Sequence, residues 1–209
     1  MQDKYTNEPI EESRCRDVLV REVGELKSEA FKLDTKNVSD LESSESLKKE
    51  KLAVLRINNE KKLLLSSFEI GTLDKELILV VFTDQFVWRL GIRGREGTIW
   101  EGGLYCATIK FPRNFPEYPP VVIFDSDFEH IHIYSSGDIC LDLVNKDLTY
   151  KPTVTMSLMI AEINRLIHEN PNPKSPANAT LNYLYLSSRE EYEARIKSNA
   201  RKLRDKKLI

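Results

Sequence analysis

Four short segments, ELILVVF, FVWRLGI, LYCATIKF and VVIF, follow one another between residues 76 and 124. Each is rich in apolar, β-branched and aromatic residues, and Gly94, Gly97, Gly102, Gly103 and the Pro119-Pro120 pair stand between them as turn residues. Four such strands in succession predict an antiparallel meander, because connections this short reach only an adjacent antiparallel neighbour. The flanking sequence has a helical period instead. Leu47 to Ser67 is rich in good helix formers, holds no Pro or Gly, and has a polar entry at Ser44 or Ser46, which predicts one helix. Beyond Thr153, the residues Met156, Met159, Ile160, Ile163, Leu166 and Ile167 fall on one helical face, and a second helical region is expected from near Pro176 to residue 209. The fold class is therefore α+β: a helix, a four-stranded antiparallel meander, a long irregular stretch with a cysteine, then helices.

Residues 1–46 have a different composition. Glu, Lys, Ser and Asp dominate, and Val18, Leu19, Val23, Leu26 and Ala30 make at most one weak amphipathic helix before the solvated linker DTKNVSDLESSES. The expected organisation is an N-terminal extension over 1–46 and a core domain over 47–209. With 41% hydrophobic residues, 209 residues suffice for one core domain of about 150 residues plus an appendage.

Charge and cysteine usage exclude several functions. A formal charge of −2 with 31% charged residues gives no broad basic field, which argues against nucleic acid as a partner. There is no apolar run of about 18 residues and no charged-then-apolar leader, so neither a membrane span nor a secretory signal is expected, and a cytosolic or nuclear location follows as an expectation. Cys15, Cys106 and Cys140 are widely spaced and odd in number, which suits free thiols in a reducing compartment better than a disulfide framework.

The irregular stretch over 125–152 is long enough inside a compact domain to suggest function. Within it, HIHIYSSGDICLDL places a Ser-Ser-Gly-Asp turn before an extended segment, whose alternation puts Ile139, Leu141 and Leu143 on one face and Cys140 with Asp142 on the other. A packing role is the ordinary fate of a lone cysteine. Zinc held by Cys140, His130 and His132 lacks the paired ligand spacings of a structural site. A thiol protease needs a nearby base, and His168 is far away in sequence; the flanking carboxylates also oppose thiolate formation. An exposed thiol without a base suits an acyl carrier, which exchanges one thioester for another and does not hydrolyse it.

WRLGIRGREGTIWEGGLY, FPRNFPEYPP, SSGDICLDL, YKP and NPNPKSPAN occur in this order and spacing, and together they resemble the ubiquitin-conjugating enzymes over about Leu47 to Lys202. The resemblance implies that Cys140 receives ubiquitin, or a ubiquitin-like modifier, from an activating enzyme and passes it to an acceptor amine on a protein substrate, usually with a ligase. It implies no cofactor, since ATP is used by the activating enzyme. The family's His-Pro-Asn becomes His130, Ile131 and His132 here. His132 thus takes the place of an Asn that supports the oxyanion or holds the active-site loop, while His130 matches a structural His. A His at this place also resembles the branch that modifies N-terminal amines.

Ser175 falls at a position that gates the cysteine pocket in the family, and Ser-Pro-Ala-Asn also reads as an N-cap with Pro at the first helical position. Pro116, Glu117, Pro152 and Thr153 match the two ligase-binding loops, with Glu117 standing where many members carry an apolar residue. Lys61 and Lys62 match basic first-helix positions that meet the activating enzyme. For the modifier, WEGG and Tyr134 resemble the SUMO-conjugating branch, whereas ICLDL and NPNPKSPAN resemble ubiquitin carriers. The near-neutral charge, and Val121 and Ile123 at the places of that branch's acceptor-reading lysines, make ubiquitin the expected modifier; a SUMO-type or other ubiquitin-like modifier conjugating enzyme, or an inactive binding variant, is the alternative.

Overall fold

The structure, a computed structural model, describes residues 45–145 and 149–209. The predicted extension and its weak helix lie outside the described residues, except that positions 45 and 46 open the first helix.

That helix, α1 (Glu45–Glu69), is longer than the predicted span by about half a turn at each end. It buries Ala53, Ile57, Glu60 and Leu64, a four-then-three spacing that keeps one face inward. Glu60 is fully buried but paired: its Oε1 accepts from Arg56 Nε at 2.7 Å and its Oε2 accepts from the Met156 backbone N–H at 2.7 Å. The second bond sits at the start of α2 (Met156–His168), where a carboxylate also meets the positive end of the helix dipole.

The four predicted strands form one sheet, β1 (Ile78–Phe82), β2 (Val87–Arg93), β3 (Leu104–Lys110) and β4 (Val121–Phe124), in that spatial order and antiparallel throughout. Alternation sends Val80, Trp88, Leu90, Ile92, Ala107, Ile109 and Phe124 into a single core shared with Ile57, Leu64, Met159 and Ile163. The opposite face carries Arg89, Gly91, Cys106 and Thr108, in register as Gly91↔Cys106 and Arg89↔Thr108.

Two helices follow, α3 (Ala179–Ser187) and α4 (Arg189–Lys202), and this corrects the expectation of a helical region starting near Pro176. The cap is Asn178, whose side chain accepts from Leu181 N at 3.0 Å, and not Ser175. The preceding turn cannot be helical because the N–H groups of Ala177 and Asn178 both donate to Ile131 O at 2.9 Å. Ser188 then ends α3 and caps α4, accepting from Glu191 N.

The segment after α4 crosses the outer face of the sheet. Leu104 N donates to Leu203 O, Arg89 Nε donates to Leu208 O at 3.1 Å, and Lys206 pairs with Asp125 and Asp127. Cys106 lies beneath this strap, fully buried, and burial pushes its thiol up to about 11. No described helix is long and apolar enough to cross a membrane.

Candidate active site

The HIHIY and DICL segments pair with each other. Gly137 N donates to Tyr134 O, Tyr134 N donates to Asp138 O, Ile133 bridges Ile139, and Cys140 N donates to His132 O at 2.8 Å. Gly137 is required in the turn: its φ is +89°, and a Cβ there would fall 2.3 Å from Phe124 O. Extended backbone stops at Leu141, and Asp142–Val144 forms one 3-10 turn, so the predicted alternation holds for Ile139 and Cys140 and breaks before Leu143.

The two described thiols differ sharply. Cys106 is sealed under the strap, whereas Cys140 is partly exposed in a groove of about 320 Å³. Pro119, Pro120, Val121, Ile139, Leu141 and Val144 are among the residues that line the groove. Tyr134 stands beside the thiol, and its interaction with Cys140 pushes its phenol up. Such a thiol can accept an acyl group and give it up again.

The three histidines all face backbone. His130 is fully buried against Trp100 and Phe128, with ring centroids at 5.1 Å and 5.9 Å, so the WEGG tryptophan serves as its packing wall. Its Nδ1 accepts from His132 N at 3.0 Å, and burial, with smaller contributions from His132 and His168, pushes its pKa down to about 3. His132 is only 8% exposed, and its Nε2 accepts from Asn172 N at 3.0 Å. The ring proton is then on Nδ1, and burial lowers the pKa of the ring while the Ser175 backbone opposes that shift. His168 holds Arg95 N–H on Nε2 at 3.0 Å and meets Asn164 O through Nδ1 at 2.9 Å, so it does not serve Cys140 as a base. Among the described residues, no group of three or more His, Cys, Asp or Glu is placed to hold a metal.

The remaining predicted residues divide. Pro116 and the Pro152–Thr153 pair are brought together, because the Tyr150 hydroxyl donates to Pro116 O at 2.7 Å and joins their loops. Pro152, Thr153 and Glu117 are exposed, and Glu117 pairs with Lys49 at 3.6 Å. Lys62 is exposed, whereas Lys61 is 8% exposed, with its ammonium 5.2 Å from the centroid of the Phe82 ring. Ser175 is exposed and stands outside the residues that line the Cys140 groove. Sequence reading missed the Pro119–Val121 wall, whose signal was an apolar run continuing from a double proline straight into a strand. It also missed the Tyr150 tie, for which a lone tyrosine gives no signal.

A family model described as "Ubiquitin-conjugating enzyme" matches residues 56–200. "Sumo-conjugating enzyme ubc9" of Dictyostelium discoideum is 39% identical over 116 residues, covering 56% of this chain and 72% of that protein. "SUMO-conjugating enzyme UBC9" of Caenorhabditis elegans is 38% identical, over 55% of this chain and 69% of the relative, and "SUMO-conjugating enzyme SCE1" of Arabidopsis thaliana is 35% identical, over 53% and 69%. With its helix, meander and cysteine-bearing loop matched across most of its length, the chain belongs to the ubiquitin-conjugating enzyme family and is a conjugating enzyme.

Proposed function

We propose that Cys140 carries a SUMO-type modifier as a thioester and transfers it to an acceptor amine. The observation that carries the cysteine assignment is the contrast between a partly exposed Cys140 in an open groove and a sealed Cys106. The Cys140 thiolate attacks the activating enzyme's thioester; one C–S bond forms, the other breaks, and the donor thiol leaves. The acceptor amine then attacks the Cys140 thioester, the C–N bond forms, the Cys140 thiolate departs and the amine proton passes to solvent. The absence of a histidine free to activate water near Cys140 suits transfer to an amine over hydrolysis.

His132 acts in this reading as a brace and not as an oxyanion donor. Its Nε2 is committed to the Asn172 N–H and its carbonyl holds the Cys140 N–H. Pro116, Pro152 and Thr153 make the ligase-facing surface, and Lys62 without Lys61 contributes to the surface for the activating enzyme.

The modifier follows the relatives, three of which are SUMO-conjugating enzymes by name. Ubiquitin, the modifier expected from the sequence, is the second reading; the formal charge of −2 and the apolar Val121 and Ile123 favour it. Incubation with ATP and either the SUMO or the ubiquitin activating system separates the two. The expected result is a thiol-sensitive adduct with SUMO, a thiol-stable oxyester or nothing for Cys140→Ser, and nothing for Cys140→Ala. Charging by ubiquitin alone would transfer the assignment to the second reading, and equal charging of Cys140→Ala would remove Cys140 from the mechanism.

A further inference from the structure

Helix α4 carries a polar residue on its buried face. Tyr192, Ile196, Asn199 and Ala200 are the residues it buries, and Asn199 is only 8% exposed. Asn is a poor helix former, and a buried amide without partners is costly, so what the amide holds explains its place. Its Nδ2 donates to Asp127 O at 2.7 Å, and its Oδ1 accepts from Glu129 N at 3.4 Å. These two bonds fix the orientation of the amide, because a carbonyl only accepts and an N–H only donates. Arg195, one turn earlier, adds a two-pronged pair to the Glu129 carboxylate at 2.7 and 2.8 Å, but that pair is partly solvated.

The segment held in this way leads straight to the thiol. His130 follows Glu129, and its Nδ1 accepts from His132 N at 3.0 Å; His132 O then accepts from Cys140 N at 2.8 Å. Phe128, between the two clasped residues, is buried against Trp100, Tyr105 and Phe124, so packing leaves little slack to absorb a shift of 127–129 before it reaches His130. We propose that Asn199 is a positioning residue for transfer at Cys140: it fixes the 127–129 backbone to α4, and through His130 and His132 it sets the place of the thiol. The proposal rests on the reading of Cys140 as the thioester-bearing residue.

The test compares the full chain with Asn199→Leu, which keeps a similar volume on the buried face and loses both bonds. The control is Ile196→Val, a modest truncation on the same face of a side chain that makes no hydrogen bond. In the uncharged proteins, amide exchange followed by NMR is expected to be at least about fivefold faster at His132 and Cys140 in Asn199→Leu, relative to the β2 and β3 amides that report global opening. In Ile196→Val, site and sheet amides should change together. Single-turnover charging uses whichever modifier-loaded activating enzyme charges the parent. Asn199→Leu should lower the rate constant by about ten- to a hundredfold and keep the charged fraction and the half-saturating concentration of activating enzyme. A merely structural role would instead lower the charged fraction and leave the rate constant of the folded molecules alone. Should Asn199→Leu not fold, Asn199→Asp, which keeps the acceptor and sets an oxygen against Asp127 O, is read in the same way. Site amides that keep pace with the sheet, or a parent rate constant in the folded variant, would overturn the proposal. Failure of the thioester reading is a separate result, the absence of any thiol-sensitive adduct in the parent, and the exchange comparison then decides by itself whether Asn199 sets Cys140.

Discussion

His132 and His130 sit two residues apart and do different work. Because the His132 ring joins the 172–175 loop and its carbonyl joins Cys140, removing the ring loosens the ground on which the thiol stands. His132→Ala is expected to lower the thermal midpoint by several degrees and to slow charging and discharge together, read by melting and by single-turnover assays. A folded variant that charges normally but discharges about ten- to a thousandfold slower would restore the oxyanion role. For His130, the folded pKa of about 3 lies below the ordinary 6.5, so between these values the unfolded chain binds a proton that the folded one refuses. Stability is then complete above about pH 6.5 and falls as the pH drops toward 3, by on the order of 5 kcal/mol. Urea unfolding between pH 4 and pH 7 is expected to show this slope and His130→Phe to flatten it, even though the variant starts from lower stability.

Among the elements, the turn into α3 shows most plainly how a sequence signal is overruled. Ser-Pro-Ala-Asn satisfies the usual cap pattern at Ser175, yet Ile131 O takes the N–H groups of Ala177 and Asn178 and holds the chain out of a helix until Ala179. Asn178→Ala is expected to cost about 1 kcal/mol through the lost bond to Leu181 N, and Ser175→Ala within about 0.5 kcal/mol of nothing, as measured by denaturant midpoints. The opposite ranking would return the cap to Ser175. The meander behaves differently: its four strands lie within two residues of the predicted segments, because an alternating apolar face and short turns leave one pairing that buries that face.

At the scale of the molecule, the strap after α4 seals the outer face of the sheet. Burial alone would raise the Asp125 carboxyl, but hydrogen bonds from Arg89 and Lys206 outweigh it and hold its pKa below the usual range. Removing residues 204–209 takes away Lys206 and the Leu208 carbonyl together. In a Cys15→Ser, Cys140→Ser background, this truncation is expected to speed alkylation of Cys106 by roughly tenfold or more, with helix content retained. An unchanged rate would show that the sheet itself, and not the strap, protects the thiol.

The sequence by itself determined the local periods and the turn chemistry, and with them the helix, the meander, the order of elements and the singling out of Cys140. These are properties of neighbouring residues: a period of two or of three and a half, a glycine forced by positive φ at Gly137, a lone thiol beside aspartates. Tertiary structure decided what distant segments do to one another. It turned Lys61 onto Phe82, committed His132 to a loop 40 residues away, pinned the Ser175 turn to Ile131, and brought Pro119, Pro120 and Val121 into the groove that holds Cys140. None of these follows from a local pattern, because each depends on which backbone group or ring a fold of this topology brings within a few ångströms.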